Sequence, residues 1–317
     1  MGASPLRDYV GLDRSGNPLP ELLAPHPRTR VRRQRPGEVA WELWLRDPPP
    51  AVSGYVAKLW GGDADETYAL HRALPNGELT LMFNLGTPQH LLDDREARGR
   101  LYRTAWISGL QERPVGWESV LRHPRAIAAQ LRPLGAWALF GGLPQQDLAN
   151  DTTDLESVLG APAGVEPLRQ RMLAAPDLGV ALDLLEGWLT TRLLRGPAAH
   201  PLTRAAVDRM RASSGTVRVE SLARDLGVSS RYLGDLFHRE IGLSPKGMMR
   251  ILRFERALGR LADPATVELS EVAQECGYYD QSHLHRDFRE LAALTPTEYR
   301  ARVFRAEGWR EIRGQRA

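Results

Sequence analysis

Residues 272–288 read VAQECGYYDQSHLHRDF, and residues 222–237 read LARDLGVSSRYLGDLF. Laid over one another, the two stretches share a small residue and a glycine four apart: Ala223 with Gly227, and Ala273 with Gly277, at a separation of 50. The later landmarks, Leu233 with Leu284, Phe237 with Phe288 and Pro245 with Pro296, are 51 apart, so the second turn holds one extra residue. Each stretch describes a short helix closed by a glycine, which takes the left-handed conformation without a steric penalty. Alanine in the first helix lets a crossing helix approach closely. A second helix then starts at Ser229 or Ser230 in one unit and at Asp280 in the other, side chains that accept from the free N–H groups of a first turn. Leu233, Leu236 and Phe237 form an inward face at i, i+3, i+4; Leu284 and Phe288 repeat it, with Asp287 in the place of Leu236. The pattern predicts two helix-turn-helix units, each with a second helix shaped to enter a major groove.

Each unit is followed by another helix start. Ser244-Pro245 and Thr295-Pro296 put a hydroxyl before a proline at the first helical position. Thr295 and Glu298 have the spacing of a capping box. The helix from Pro245 to about Leu261 has ~17 residues and spans ~25 Å, and Asp263-Pro264 ends it. It is a rigid spacer that can set two recognition helices on groove faces about one DNA turn, ~34 Å, apart.

Outside these units the 317 residues fit about two domains. A hydrophobic fraction of 42% and a charged fraction of 26% exclude a disordered or collagen-like chain. The one cysteine, Cys276, excludes an intramolecular disulfide and a cysteine-cluster zinc site. It suits a reducing cytosol, and the expected location is cytoplasmic. No apolar run approaches the ~18 residues of a membrane span, and the start has no apolar core of a secretory signal. From Thr203 onward there are 20 basic and 16 acidic residues, whereas the part before it is close to neutral. All basic residues but Lys58 and Lys246 are arginine, whose planar fork suits phosphates and guanine edges.

The expected fold class is α+β, in five parts: a flexible tail over 1–36; a β-rich effector or regulatory domain over 37–150; a helical segment and linker over 151–200; the double helix-turn-helix domain over 201–305; and a tail over 306–317. Prolines recur in the first tail, with a basic run at Arg28, Arg30, Arg32, Arg33 and Arg35. Strand-like alternation begins at Val39, Trp41, Leu43 and Leu45 and continues over 52–60 and 67–74. Asn76-Gly77 then favours a two-residue hairpin turn, and Leu79, Leu81, Phe83 and Leu85 follow at period two. The apolar stretches 101–110, 126–131 and 136–140 complete a barrel or sandwich. Beyond 150, Leu178, Leu182, Leu185, Trp188 and Leu189 mark one helical stripe, ended by Gly196-Pro197.

The stretch from Gly277 to Arg289, with Leu294 to Arg300, resembles the signature of the AraC/XylS family of bacterial transcriptional regulators. The first unit matches in register, and the resemblance covers residues 203–305. It implies a seven-helix, two-unit DNA-binding domain. The family usually carries glycine just before the final turn, where this chain has Ala292-Ala293, and longer polar residues where the first recognition helix has Gly234 and Asp235. Residues 38–195 more loosely resemble the β-rich domain of unknown function found before such DNA-binding domains.

The outward positions of the second recognition helix are Gln281, Ser282, His283, His285 and Arg286, groove-facing by the resemblance. Chemically, Arg286 forks to guanine O6 and N7, and Gln281 pairs with adenine N6 and N7. On the first helix the candidates are Arg231, Tyr232 and Asp235. Ser229, Ser230 and Thr295 are candidates for phosphate contacts. The expected partners are double-stranded promoter DNA, a small-molecule effector of the front domain, RNA polymerase and a second copy of the chain, with no membrane. No catalytic residue, cofactor or metal site is expected. The alternative is an enzyme fused to a DNA-binding module. A metal-dependent cupin needs converging His and Glu ligands, and the front half offers His71, Glu78 and His90 without a close His-x-His pair. A DNA-repair methyltransferase needs a nucleophilic cysteine, and Cys276 falls inside the second unit. No dinucleotide, phosphate-loop, zinc-protease or nucleophile-elbow motif is present.

Overall fold

The computed structural model describes residues 22–23, 27–33, 41–64, 70–92, 99–119, 124–263 and 268–304. Alternation at period two builds the front half. Its strands are β1 (Leu22–Leu23), β2 (Thr29–Arg33), β3 (Trp41–Arg46), β4 (Val56–Ala64), β5 (Leu70–Ala73) and β6 (Leu79–Asn84). They continue as β7 (Gln89–Leu92), β8 (Arg100–Tyr102), β9 (Ala105–Ser108), β10 (Val115–Ser119), β11 (Arg125–Leu131) and β12 (Thr152–Asp154). Among the described residues they form two sheets, in the orders β1-β2-β3-β4-β11-β6-β9-β12 and β5-β10-β7-β8. Every pairing is antiparallel.

The faces of the large sheet divide the apolar residues. Leu81, Phe83, Ile107, Ile127 and Ala129 join one core with the helices of the front half. Their neighbours Met82 and Trp106 point the other way, onto Leu91, Tyr102 and Val115 of the small sheet. The helices are α1 (Pro133–Leu139), α2 (Leu155–Leu159), α3 (Val165–Leu173) and α4 (Leu178–Arg195). Asp177 caps α4 by accepting from the Val180 N–H at 2.9 Å. The stripe Leu178, Leu182, Leu185, Leu189 and Leu193 is buried along its length, each such leucine contributing ~1.5–3 kcal/mol. Arg46 is buried to 1% exposure and ties β3 to α4. It donates to Thr29 Oγ1 at 2.8 Å, to the Gly179 carbonyl at 3.1 Å and to Asp183.

Four differences from the sequence reading stand out. Residues 29–33, assigned to the tail, pair with β3 along its length, because Val31 and Thr29 alternate inward and are buried. Asn76-Gly77 makes no hairpin: β5 pairs with β10 and β6 with β11 and β9. The Asn76 side chain instead accepts from the Glu78 N–H, closing a local turn. Residues 136–140 lie mostly in helix α1, whose start Pro133 sets at the first helical position. Finally, one continuous core runs from the sheet through α4 into the first helix-turn-helix unit, past the boundary read near residue 200.

Candidate nucleic-acid interface

Among the described residues seven helices follow: α5 (Pro201–Ala212), α6 (Val219–Asp225), α7 (Ser230–Glu240), α8 (Pro245–Leu261), α9 (Leu269–Glu275), α10 (Gln281–Ala292) and α11 (Pro296–Phe304). The two units are α6–α7 and α9–α10, with Gly227 and Gly277 at positive φ in their turns. Ser229, not Ser230, is the first cap: its hydroxyl accepts from the Tyr232 N–H at 3.1 Å. Asp280 accepts from the His283 N–H at 2.7 Å. Ser244 caps α8 through the Gly247 N–H at 3.0 Å. Thr295 and Glu298 form the reciprocal capping box, which engages the Thr295 hydroxyl as both donor and acceptor.

The spacer α8 has 17 residues and divides its apolar face between the units. Met248, Met249, Ile251 and Leu252 join the core of the first unit with Leu233 and Phe237. Phe254, Ala257, Leu258 and Leu261 join that of the second with Leu284 and Phe288. The Phe254 and Phe288 rings meet edge-on, 4.9 Å between centroids. Each recognition helix is thereby seated on one half of a single rod.

The candidate contact residues fall where that seating leaves them. Arg231, Tyr232, Asp235, Gln281, Ser282 and Arg286 are exposed, and His283 and His285 are half-buried. Tyr232 packs edge-on against His200, and His283 against Tyr278. Ser230, the first residue of α7, is exposed, and Thr295 is half-buried.

Three features go beyond the sequence reading, which marks positions 287 and 293 as departures without a structural account. Asp287, on the inward face, is buried and accepts from Arg250 Nε of α8 at 2.7 Å, while Arg250 also donates to Glu290. Burial alone would lower the Arg250 pKa; the bonds and charges of Asp287 and Glu290 outweigh it and hold the guanidinium above its ordinary value. An acid in an apolar position at 287 was the signal, but its partner lies 37 residues away. Tyr279, in the turn before α10, is 93% exposed, the most open of the large apolar side chains among the described residues. Ala293 takes a left-handed conformation, φ 54°, at the place where Gly242 (φ 90°) ends the first unit.

Both units touch the front half. Leu74 packs on the core of the second unit. A Cβ at Gly77 would lie 3.5–3.8 Å from Met248, Ile251 and Leu252 of α8, and Arg211 of α5 donates to the Gly77 carbonyl at 3.2 Å. Around this loop, Glu78, Arg211 and Glu255 form a half-buried charge cluster with Arg132. Burial raises the Glu78 pKa against the pull of Arg211, Arg132 and Lys58. Burial, with the Glu78 charge, raises Glu255 to about 7 against Arg211 and Arg132. At the other end of α7, a Cβ at position 242 would sit 2.5 Å from the Gln145 carbonyl oxygen, so Gly242 permits the front half to approach. The buried Glu240 accepts from the His200 N–H at 3.0 Å, fixing the linker to α7.

Cys276 is fully buried, and burial raises its thiol to about 11, the reverse of the depressed pKa that favours thiolate at neutral pH. Among the described residues no group of three His, Cys, Asp or Glu side chains is placed to hold a metal ion. The His71 side chain lies outside the described ones. Among the described residues no helix is long and apolar enough to cross a membrane.

Residues 222–302 match the family model described as a helix-turn-helix domain. The chain is 30% identical over 105 residues to the "Probable thc operon regulatory protein" of Rhodococcus erythropolis, covering 32% of each chain. It is 30% identical over 105 residues to the "RCS-specific HTH-type transcriptional activator RclR" of Escherichia coli (strain K12), covering 33% of this chain and 37% of that one. The matches thus span about a third of these curated relatives. Among solved structures, a transcriptional regulator from Chromobacterium violaceum is 27% identical over 33% of this chain and 94% of that chain, with a TM-score of 0.31.

Proposed function

We propose, on the premise that residues 222–302 are an AraC-type helix-turn-helix domain, that this chain is a sequence-specific transcriptional regulator of promoter DNA. The observation that carries the reading is the rod α8, shared by two capped units whose recognition helices keep the start of their outer faces open. Helices α7 and α10 enter successive major grooves. Arg286 and Gln281 read bases in the second unit, and Arg231 does so in the first, with Tyr232, Asp235, His283 and His285 beside them. Ser229, Ser230, Ser282 and Thr295 lie at helix starts, where backbone N–H groups favour phosphates; Thr295 is the weakest of these, since its hydroxyl is held in the capping box. The protein works in the cytoplasm as a regulator without enzymatic activity. The front half modulates DNA binding in response to a small molecule, through the loop around Gly77 that touches both units. For this to regulate, the effector must bind two states with different affinity.

Against the DNA-repair methyltransferase form of the enzyme alternative stands the burial of Cys276, whose raised pKa does not favour a thiolate nucleophile. The test is selection of bound fragments from genomic DNA with the full chain. The reading expects a recurrent sequence whose enrichment disappears in an Arg231→Glu, Arg286→Glu double variant of unchanged melting temperature. Enrichment that survives both charge reversals refutes it.

A further inference from the structure

A groove of about 920 Å³ opens between α1, α2, α3 and α4, and no residue of either recognition helix lines it. Its volume falls in the ~300–1,000 Å³ range of small-molecule sites. The floor is apolar: Leu139, Phe140, Val158, Leu159, Leu168 and Leu184. Trp188 forms one wall and is fixed there. Its indole N–H donates to the Ala163 carbonyl at 3.0 Å, and its ring meets Phe83 edge-on at 6.0 Å.

The charge over this floor is one-sided. Arg171, Arg192 and Arg195 line the groove, and its acidic lining residue, Asp183, is paired with Arg46. Among the described residues none of these three arginines has an ion-pair partner. The Arg192 guanidinium stacks over Trp188, 5.2 Å from the ring centroid, and its Nε is buried without a hydrogen-bond partner. Burial lowers its pKa, as expected for a cation that lacks a counter-ion.

We propose that this groove binds a small carboxylate with an aryl or alkyl body. The apolar body lies on Trp188 and the leucine floor, and the carboxylate pairs with Arg192 in the field of Arg171 and Arg195. An apolar floor without the arginines would take a neutral ligand; the arginines without the floor would take an inorganic anion. Together they select an amphipathic acid. The groove wall also includes Gly196-Pro197, the start of the linker whose His200 N–H holds Glu240 of α7. An occupant therefore touches the segment that joins the front half to the first unit. This deepens the regulatory reading, but binding stands or falls without it.

The test is calorimetric titration of the full chain, without DNA, with 2-naphthoate and octanoate and with the matching neutral alcohols. Both acids are expected to bind, and the alcohols at least tenfold more weakly. Arg192→Gln is expected to weaken the acids at least tenfold and leave the alcohols unchanged. Gly187→Phe fills the groove from α4, where a Cβ meets nothing within 4 Å and the helix gains from losing glycine; it is expected to abolish binding of all four. Absence of acid binding to the wild-type chain, equal affinity for acids and alcohols, or wild-type affinity in both variants overturns the proposal. So does sedimentation showing that the groove is buried in a dimer that Gly187→Phe dissociates. Selection of DNA fragments by the same preparation reports on the regulatory reading separately.

Discussion

Replacing Asp287 tests how the second recognition helix is held. The carboxylate is buried and takes a 2.7 Å bond from Arg250, whose own side chain is 24% exposed. Removing one member of a buried pair costs ~3–5 kcal/mol when the survivor is left stranded. Arg250 is not stranded, because it keeps Glu290 and is partly open to solvent, so the loss approaches that of a hydrogen bond to a charged group, ~1.5–3 kcal/mol. Asp287→Ala is therefore expected to destabilise by about 2–3 kcal/mol. The double variant Arg250→Met, Asp287→Leu replaces the pair by apolar groups and restores the leucine found at the matching position 236. It is expected to recover most of the loss, to within ~1 kcal/mol of the wild type. Hydrogen exchange read on the amides of α10, with the same measurement on α7 as a control, resolves the second unit from the rest. Exchange in α10 at the wild-type rate in Asp287→Ala, or a double variant as unstable as the single one, refutes the assignment.

Three further outcomes follow from the geometry. Ala293→Gly relieves a left-handed alanine and is expected to stabilise the second unit by ~1 kcal/mol in denaturant unfolding; a loss of stability contradicts this. Glu255, raised from 4.5 to about 7, keeps a proton in the folded chain that the unfolded chain releases between those values. Folding is thus favoured at the low end of that window, and roughly 3 kcal/mol at most is lost as pH rises through 7. Glu255→Gln is expected to flatten that slope between pH 5 and 8, and equal slopes in the two chains rule the cluster out as its source. Arg286→Ala is expected to cost ~1–3 kcal/mol in DNA affinity and relax preference at one base pair, read by binding to a panel of site variants; unchanged preference removes Arg286 as a base reader.

The helical third was legible because its signals are local. Caps, turn glycines and the i, i+3, i+4 faces lie within a dozen residues of one another, and the rod α8 falls where its ends foretell it. The front half was legible strand by strand: Leu79, Leu81 and Phe83 alternate inward as their spacing implies. Its topology was not. Asn76-Gly77 has the chemistry of a hairpin, yet the flanking strands enter different sheets, a choice made by pairing across the fold. Residues 136–140 are as compatible with a strand as with a helix, and the packing of α1 in the front-half core decides it. The groove around Trp188 and Arg192 was hidden for the same reason, since the helices that frame it converge only in the folded chain. Arg46 and Asp287 are charged yet buried because each has a partner across the fold, Asp183 and Arg250, that no local spacing announces.

The central claim is that one rod presents two reading helices to one duplex. Hydroxyl-radical footprinting of the full chain on a selected fragment tests it most directly. The account predicts two protected segments on one face, about one helical turn or ~10 base pairs apart, with Arg231→Glu erasing one and Arg286→Glu the other. A single protected segment, or two that vanish together whichever unit is altered, contradicts it.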